Sequence, residues 1–228
     1  MEALAIIVAA GRGERMEGGV PKAFLPLGGV PLLVHSVRVF AAAPSVTAIV
    51  VVAPADRVGE VRAMLADIAK PVTVVAGGAQ RQDSVRAGLD AAPTSFDGIF
   101  LVHDAARPFA DVAIVESVIE VAVEMGAAIP TLPVADTIKR MEHGLIRGTI
   151  DRGSLAAAQT PQAFVASLLR RAYEAADRDG ATLTDEAMAV ERLGGTVAAV
   201  PGHAVNRKLT TPDDLVWAED VLRRRAAR

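Results

Sequence analysis

Residues 3–16 read ALAIIVAAGRGERM and decide the fold of the chain. The segment from Ala3 to Ala9 is a short apolar run rich in β-branched residues, which is typical of a strand buried on both faces. Gly11 and Gly13 follow it, and charged side chains lie beside them. Because glycine lets backbone N–H groups approach a ligand closely, such a turn suits a phosphate group. The segment therefore predicts a buried strand that leads into an anion-binding loop.

Similar apolar runs recur along the first half of the chain, at Thr47–Val52, Pro71–Val75 and Gly98–Val102. Helical patterns separate the runs, near Pro31–Ala42, Ala55–Ile68 and Asp83–Ala91. Strands that alternate with helices predict an α/β fold whose mostly parallel sheet is covered by helices on both sides. Ligands bind such sheets beyond the carboxyl ends of the strands. We expect the loops after Ala9, Val75 and Val102 to form the binding site.

The second half of the chain is less regular. Three further helices and two further strands are predicted before the last helix: Asp111–Met125, Phe164–Ala176 and Asp185–Leu193, then Ala127–Leu132 and Thr196–Val200. The last helix is predicted over Asp213–Arg225, behind Pro212. Residues 133–162 alternate weakly and hold few core-sized side chains, so they predict an extended β-arm that packs most economically against the same arm of a second subunit. No stretch resembles a linker, and we predict a single domain over residues 1–228.

Composition limits the possible functions. The chain carries 24 basic and 27 acidic residues, a net charge of −3, which argues against broad binding to nucleic acid or to a membrane surface. It has no cysteine, which excludes disulfides and thiolate-bound metals and fits a reducing cytoplasm. The N-terminal segment lacks the basic region of a secretory signal, so we expect a cytoplasmic protein. Four scattered histidines lack the spacing of a zinc site.

The glycine-rich loop does not match the two familiar nucleotide motifs. A dinucleotide fingerprint needs a third glycine where this chain has Met16, and a P-loop needs Lys followed by Ser or Thr where it has Gly19 and Val20. A tight connection between a strand and a helix explains a bare glycine turn equally well. The loop alone therefore leaves the ligand undecided.

Several blocks in a fixed order resemble the 2-C-methyl-D-erythritol 4-phosphate cytidylyltransferase family. They are AAGRGERM at 9–16, PKAFL at 21–25, GGAQRQDSV at 77–85, VHDAARP at 102–108, DTIK at 136–139, QTPQ at 159–162, TDEA at 184–187 and NRKLT at 206–210. The resemblance spans essentially the whole chain. It implies a Rossmann-like nucleotidyltransferase fold with a dimerising β-arm, and transfer of CMP from CTP to the methylerythritol phosphate in isoprenoid precursor synthesis. Val205 and Arg207 depart from the family pattern.

The same resemblance assigns residues to roles. Four cations are implied in catalysis: Arg15, Lys22, Arg152 and Lys208. Substrate binding is implied for Ala9, Ala10, Gly11, Gly13, Gly78, Arg81, Ser84, Asp104, Ala105, Arg107, Thr137 and Thr160. Asp104 is the candidate ligand for a Mg²⁺ cofactor that bridges triphosphate oxygens. If the arm crosses to the second subunit of a homodimer, each site borrows Arg152 and Thr137 from its neighbour.

Two other interpretations stay open at this point. A cytidylyltransferase that acts on ribitol 5-phosphate would handle CTP alike and differ only in its acceptor pocket. A catalytically silent nucleotide-binding dimer would keep the glycine loop but would be free to lose the four cations. The DTIK block at 136–139 and the pair Asp151-Arg152, which also matches the family, favour methylerythritol phosphate. Retention of all four cations disfavours the silent dimer.

Overall fold

The computed structural model describes residues 1–11 and 20–226. Its strands are β1 Ala3–Val8, β2 Pro26–Leu27, β3 Val30–Pro31, β4 Val46–Ala53, β5 Val72–Ala76, β6 Ile99–Asp104, β7 Ala127–Pro133, β8 Ile138–Glu142, β9 Leu145–Ile150, β10 Ala156–Ala158, β11 Gln162–Val165 and β12 Ala198–Pro201. Its α-helices are α1 Leu32–Ala42, α2 Val58–Met64, α3 Arg81–Asp90, α4 Val112–Met125, α5 Ala166–Arg178, α6 Glu186–Arg192 and α7 Pro212–Ala226.

Eight strands form the main sheet, in the order β10-β7-β11-β6-β1-β4-β5 with β12 paired to β7. Strands β1, β4, β5 and β6 run parallel, and β12 is parallel to β7. Strands β10 and β11 are antiparallel to their neighbours. The prediction of a mostly parallel α/β sheet flanked by helices is confirmed.

Alternate residues of β1 explain why the sheet is covered on both faces. Ala5 and Ile7 join a core cluster with helices α1, α2 and α4, while Leu4 and Ile6 join a second cluster with α3, α5 and α6. Each of these four side chains is at most 4% exposed. Because successive side chains of a strand point to opposite faces, a continuous apolar run suits a strand between two helical layers.

Two predictions about the second half need correction. The helix predicted to begin at Phe164 begins at Ala166, because residues 162–165 form β11 between β6 and β7. The arm predicted over residues 133–162 is shorter in the structure, since β10 and β11 belong to the main sheet. What projects is the hairpin of β8 and β9, whose residues are mostly exposed.

Candidate active site

A cavity of about 810 Å³ lies beyond the carboxyl ends of the parallel strands, within the range of ligand pockets in proteins. Strands β1 and β6 reach it side by side, with Val8 opposite Asp104. The Ala105 N–H donates to the Val8 carbonyl at 3.1 Å, which continues the pairing past the strand ends. Ten of the residues implied by resemblance line this cavity: Ala9, Ala10, Gly11, Lys22, Gly78, Arg81, Ser84, Asp104, Ala105 and Lys208.

Asp104 lies at the centre of a cluster of cations. Its Oδ2 is 2.9 Å from Lys208 Nζ and 3.7 Å from Arg107 Nε, and its Oδ1 accepts from Arg81 Nε at 3.2 Å. Burial alone would raise the pKa of this carboxyl, but Arg81, Lys208 and Arg107 together hold the pKa of Asp104 well below its usual range. The side chain is therefore a carboxylate at neutral pH, and the cations bring a net positive charge to the cavity.

The loop between β5 and α3 forms another wall of the cavity. A Cβ added at Gly77 would lie 2.3 Å from the Ala10 Cβ and 2.7 Å from Ser84 Oγ, so glycine is required where the two loops meet. Helix α3 begins with a capping box in which Gln80 and Asp83 satisfy each other's backbone N–H groups. Ser84 is not the cap. Its hydroxyl donates to the Gln80 carbonyl at 3.1 Å, which leaves the lone pairs of the oxygen to accept from a ligand.

A buried hydroxyl fixes the end of β6. Thr160 Oγ1 accepts the Asp104 N–H at 3.1 Å and lies 3.0 Å from His103 Nδ1, to which it donates. His103 is fully buried, and this burial lowers its pKa to about 4, so the ring is neutral. Its Nε2–H donates to the Arg107 carbonyl at 3.1 Å. These bonds hold Asp104 and Arg107 in place from behind the cavity.

The remaining implied residues lie elsewhere. Thr160 and Arg107 support the site from outside its lining, since Arg107 donates to the Asn206 carbonyl at 2.8 Å as well as facing Asp104. Thr137 and Arg152 are exposed and lie next to the hairpin, away from the cavity lining. Gly13 and Arg15, the other two implied residues, lie outside the described residues.

The two departures from the family pattern do not crowd Asp104. Arg207 pairs with Asp214, and its guanidinium lies 4.8 Å from the centre of the Trp217 ring on α7. Val205 packs against the small apolar cluster beneath the same helix. Lys208 and Thr210 of this segment line the cavity, whereas the Arg207 side chain turns towards α7.

Sequence reasoning missed one strongly placed residue, Glu186. It is fully buried at the start of α6 and forms a bidentate pair with Arg81, at 2.7 and 3.0 Å. An acid in the first turn of a helix ordinarily complements the helix dipole, so its position gave no signal of burial. Glu186 lies in the TDEA block that matches the family, but the resemblance implied no role for it.

The site suits a metal that is held mainly by substrate. Within residues 1–11 and 20–226, no group of three or more His, Cys, Asp or Glu side chains is placed to hold an ion. Mg²⁺ commonly uses one or two carboxylates together with phosphate oxygens and water. Asp104, ionised and in the cavity lining, fits that donor set.

Comparison with known proteins shows which family the chain resembles. The model of the IspD family, 2-C-methyl-D-erythritol 4-phosphate cytidylyltransferase, matches residues 3–224. A protein of that name from Streptomyces coelicolor is 48% identical, over 97% of this chain and 85% of its own length. One from Bacillus licheniformis is 45% identical, over 95% and 94%.

Solved structures with related names share the fold. The crystal structure of 4-diphosphocytidyl-2C-methyl-D-erythritol synthase from Anaerococcus prevotii has a TM-score of 0.87 at 26% identity and covers 97% of this chain and 96% of its own. The 2-C-methyl-D-erythritol 4-phosphate cytidylyltransferase from Thermus thermophilus has a TM-score of 0.78 at 36% identity and covers 98% and 100%. The chain belongs to the 2-C-methyl-D-erythritol 4-phosphate cytidylyltransferase family.

Proposed function

We propose that this chain transfers CMP from CTP to 2-C-methyl-D-erythritol 4-phosphate, forming 4-diphosphocytidyl-2-C-methyl-D-erythritol and pyrophosphate for isoprenoid synthesis. The observation that carries the proposal is the convergence, in one cavity at the strand ends, of Gly11, Lys22, Lys208 and the ionised Asp104. Such a cavity offers backbone donors and cations to a triphosphate. Family membership supplies the substrate class.

The reaction is an in-line attack of a phosphate-monoester oxygen on the α-phosphorus of CTP, with pyrophosphate as the leaving group. Negative charge spreads over the equatorial oxygens as the new P–O bond forms and the old one breaks. Lys22 lines the cavity and, with Arg15, is the cation that we assign to this charge. Base recognition falls to Gly78 and Ser84 on the wall formed by α3.

Lys208 and Asp104 divide two further tasks. Lys208, whose ammonium lies at the cavity, orients the phosphate of the acceptor and reduces the repulsion between two anionic substrates. Asp104 is the residue that would hold Mg²⁺, which supplies charge neutralisation to the triphosphate when bound. Arg81 and Arg107 keep this carboxylate ionised.

The acceptor site is completed by a second copy of the chain. The hairpin of β8 and β9 exposes Met141, Leu145 and Ile146 by 62%, 58% and 65%, which is unusual for side chains of this size and supports a covered surface in a dimer. Thr137 and Arg152 flank the hairpin and, in this proposal, reach the neighbour's cavity. We place the homodimer in the cytoplasm, where CTP is available.

The shared site has a direct test. Chains carrying Arg152→Ala and chains carrying Lys22→Ala are each expected to lose activity, because each removes one cation from every site. Each mixed dimer regains one intact site of its two. Because about half of the dimers in an equimolar mixture are mixed, up to about a quarter of all sites are expected to recover. An absence of recovery in mixed dimers would remove the shared site from the proposal.

The activity itself is tested by pyrophosphate release from CTP, Mg²⁺ and the methylerythritol phosphate. Lys22→Ala is expected to lower kcat by about 10² to 10³, the usual effect of losing one contact to developing charge. Lys70→Ala is the matched control, because Lys70 lies outside the cavity and donates to backbone carbonyls near α1. Equal rates for the two variants would contradict the role of Lys22.

In the part of the chain that the structure describes, no helix has the length and apolar character needed to cross a bilayer.

A further inference from the structure

Arg81 joins two carboxylates that differ in their surroundings. Its Nη1 and Nη2 donate to the two oxygens of Glu186 at 2.7 and 3.0 Å, and its Nε donates to Asp104 Oδ1 at 3.2 Å. Glu186 is fully buried and lies outside the cavity lining, whereas Asp104 belongs to that lining. Tyr173 donates its hydroxyl proton to Glu186 Oε1 at 3.0 Å. The guanidinium is thus committed to protein partners.

Glu186 is fixed by its own backbone. The Glu186 and Ala187 N–H groups donate to Gln162 Oε1 at 3.2 and 3.1 Å, and Gln162 Nε2 donates to Asp185 at 2.9 Å. The start of α6 is in this way tied to β11 in the centre of the sheet. Because the backbone of Glu186 is held in this way, the position of its carboxylate determines where the Arg81 guanidinium lies.

Glu186 lowers the net positive charge of the cluster around Asp104. Arg81, Arg107 and Lys208 face this one carboxylate, and without Glu186 the group would carry a net charge of two positive units. The buried carboxylate on the far side of Arg81 lowers that net charge to one. A divalent cation approaching Asp104 would meet less repulsion for this reason, whereas a free triphosphate would meet less attraction.

We propose that Glu186 is a positioning residue for the reaction: it holds the Arg81 guanidinium in place beside Asp104 and offsets its charge, so that a divalent cation approaching Asp104 meets a net charge of one positive unit rather than two. This role rests on the proposed function, in which Mg²⁺ accompanies CTP. The proposal gives the TDEA block a role in the site, and Gln162 supports that role by accepting hydrogen bonds from the block's backbone. Glu186 acts through Arg81 and does not touch the substrates.

The experiment compares two variants that separate charge from shape. Glu186→Gln keeps the side-chain length and removes the charge, while Glu186→Asp keeps the charge and shortens the side chain. Glu186→Gln is expected to raise the half-saturating Mg²⁺ concentration by about tenfold. Glu186→Asp is expected to leave that concentration within about twofold of the unmodified chain while lowering kcat, because Arg81 loses its bidentate partner.

A second readout does not depend on turnover. Calorimetric titration with CTP in the presence of a chelator is expected to show equal or tighter binding to Glu186→Gln, since the cavity has become more positive. A merely structural role would weaken both Mg²⁺ dependence and metal-free CTP binding together. It would also make Glu186→Asp at least as defective as Glu186→Gln in its Mg²⁺ requirement. Either result would overturn the proposal.

The double variant Arg81→Gln with Glu186→Gln closes the cycle and guards against misfolding of the single variant. It removes the buried cation together with its counter-charge, so the net charge near Asp104 returns to one and the Mg²⁺ requirement returns towards its original value. A requirement as high as that of Glu186→Gln would contradict the neutralising role. Failure of the proposed function is distinguishable, because the unmodified chain would then release no pyrophosphate at any Mg²⁺ concentration.

Discussion

Replacing Thr160 by valine removes one buried hydroxyl with little change in shape. Thr160 is 4% exposed, and its Oγ1 accepts the Asp104 N–H at 3.1 Å and donates to His103 Nδ1 at 3.0 Å. Thr160→Val leaves both partners buried and unpaired. Each unpaired group costs about 1–3 kcal/mol, so we expect the free energy of unfolding to fall by about 3 kcal/mol.

Thr160→Ser is the matched control, because it keeps the hydroxyl and deletes only a methyl group. The loss expected for that methyl is about 1 kcal/mol. Urea denaturation followed by far-ultraviolet circular dichroism measures both variants on the same scale. The role given to the hydroxyl is refuted if Thr160→Val stays within about 0.5 kcal/mol of the unmodified chain, or if the serine variant is as unstable as the valine variant.

Loss of the Thr160 hydrogen bonds is also expected to affect catalysis. Its partner N–H belongs to Asp104, the carboxylate in the centre of the cavity. Loss of that bond frees the end of β6, so Thr160→Val is expected to lower kcat more than Thr160→Ser does. Steady-state rates at saturating CTP and Mg²⁺ make the comparison, and equal kcat values would show that the hydroxyl supports the fold alone.

Three further predictions concern other parts of the molecule. Gly88→Ala is expected to lower the free energy of unfolding by about 1–3 kcal/mol in urea denaturation, because the added Cβ would lie 2.4 Å from Ile6. Gly59→Ala is the control: its Cβ would meet no atom within 4 Å, and the free energy of unfolding is expected to rise by about 0.5–1 kcal/mol. Burial alone would raise the pKa of Asp214, but hydrogen bonds from the two preceding threonines lower it from 3.8 to about 2. Its stabilisation is therefore complete above about pH 4 and is lost as the pH falls through about 2, and the difference in unfolding free energy between Asp214→Asn and the unmodified chain should shrink over that range. Ile146→Asp places a charge on the exposed hairpin and is expected to shift the chain towards monomer in sedimentation velocity, with unchanged sedimentation arguing against that surface.

Much of the sheet could be predicted from local sequence. The apolar run of β1 must be buried on both faces, and Ile6 and Ile7 do lie in opposite core clusters. Strand β11 could not be found in this way, because Phe164 belongs to a strand only through its antiparallel pairing with β6 and β7. The helical pattern that follows it extended too far towards the N-terminus, since strand pairing overrides local propensity.

The candidate site, like the sheet, could be predicted from the sequence only in part. Asp104 lies near the loops after Ala9 and Val75 because the carboxyl ends of parallel strands meet at one edge, as the alternation of strands and helices predicts, whereas Lys22 and Lys208 were expected there from the family resemblance alone. Glu186 reaches Arg81 through packing between residues 105 positions apart, which no local pattern encodes. The hydrogen bonds by which Thr160 holds Asp104 and Glu186 holds Arg81 could therefore be seen only in the structure.

The measurement that tests the central claim most directly is acceptor-dependent pyrophosphate release by the unmodified chain. CTP and Mg²⁺ would be supplied with 2-C-methyl-D-erythritol 4-phosphate in one reaction and ribitol 5-phosphate in another. We predict release with the methylerythritol phosphate and at least about a hundredfold less with ribitol 5-phosphate. Preference for ribitol 5-phosphate, or no release with either acceptor, would contradict the proposed function.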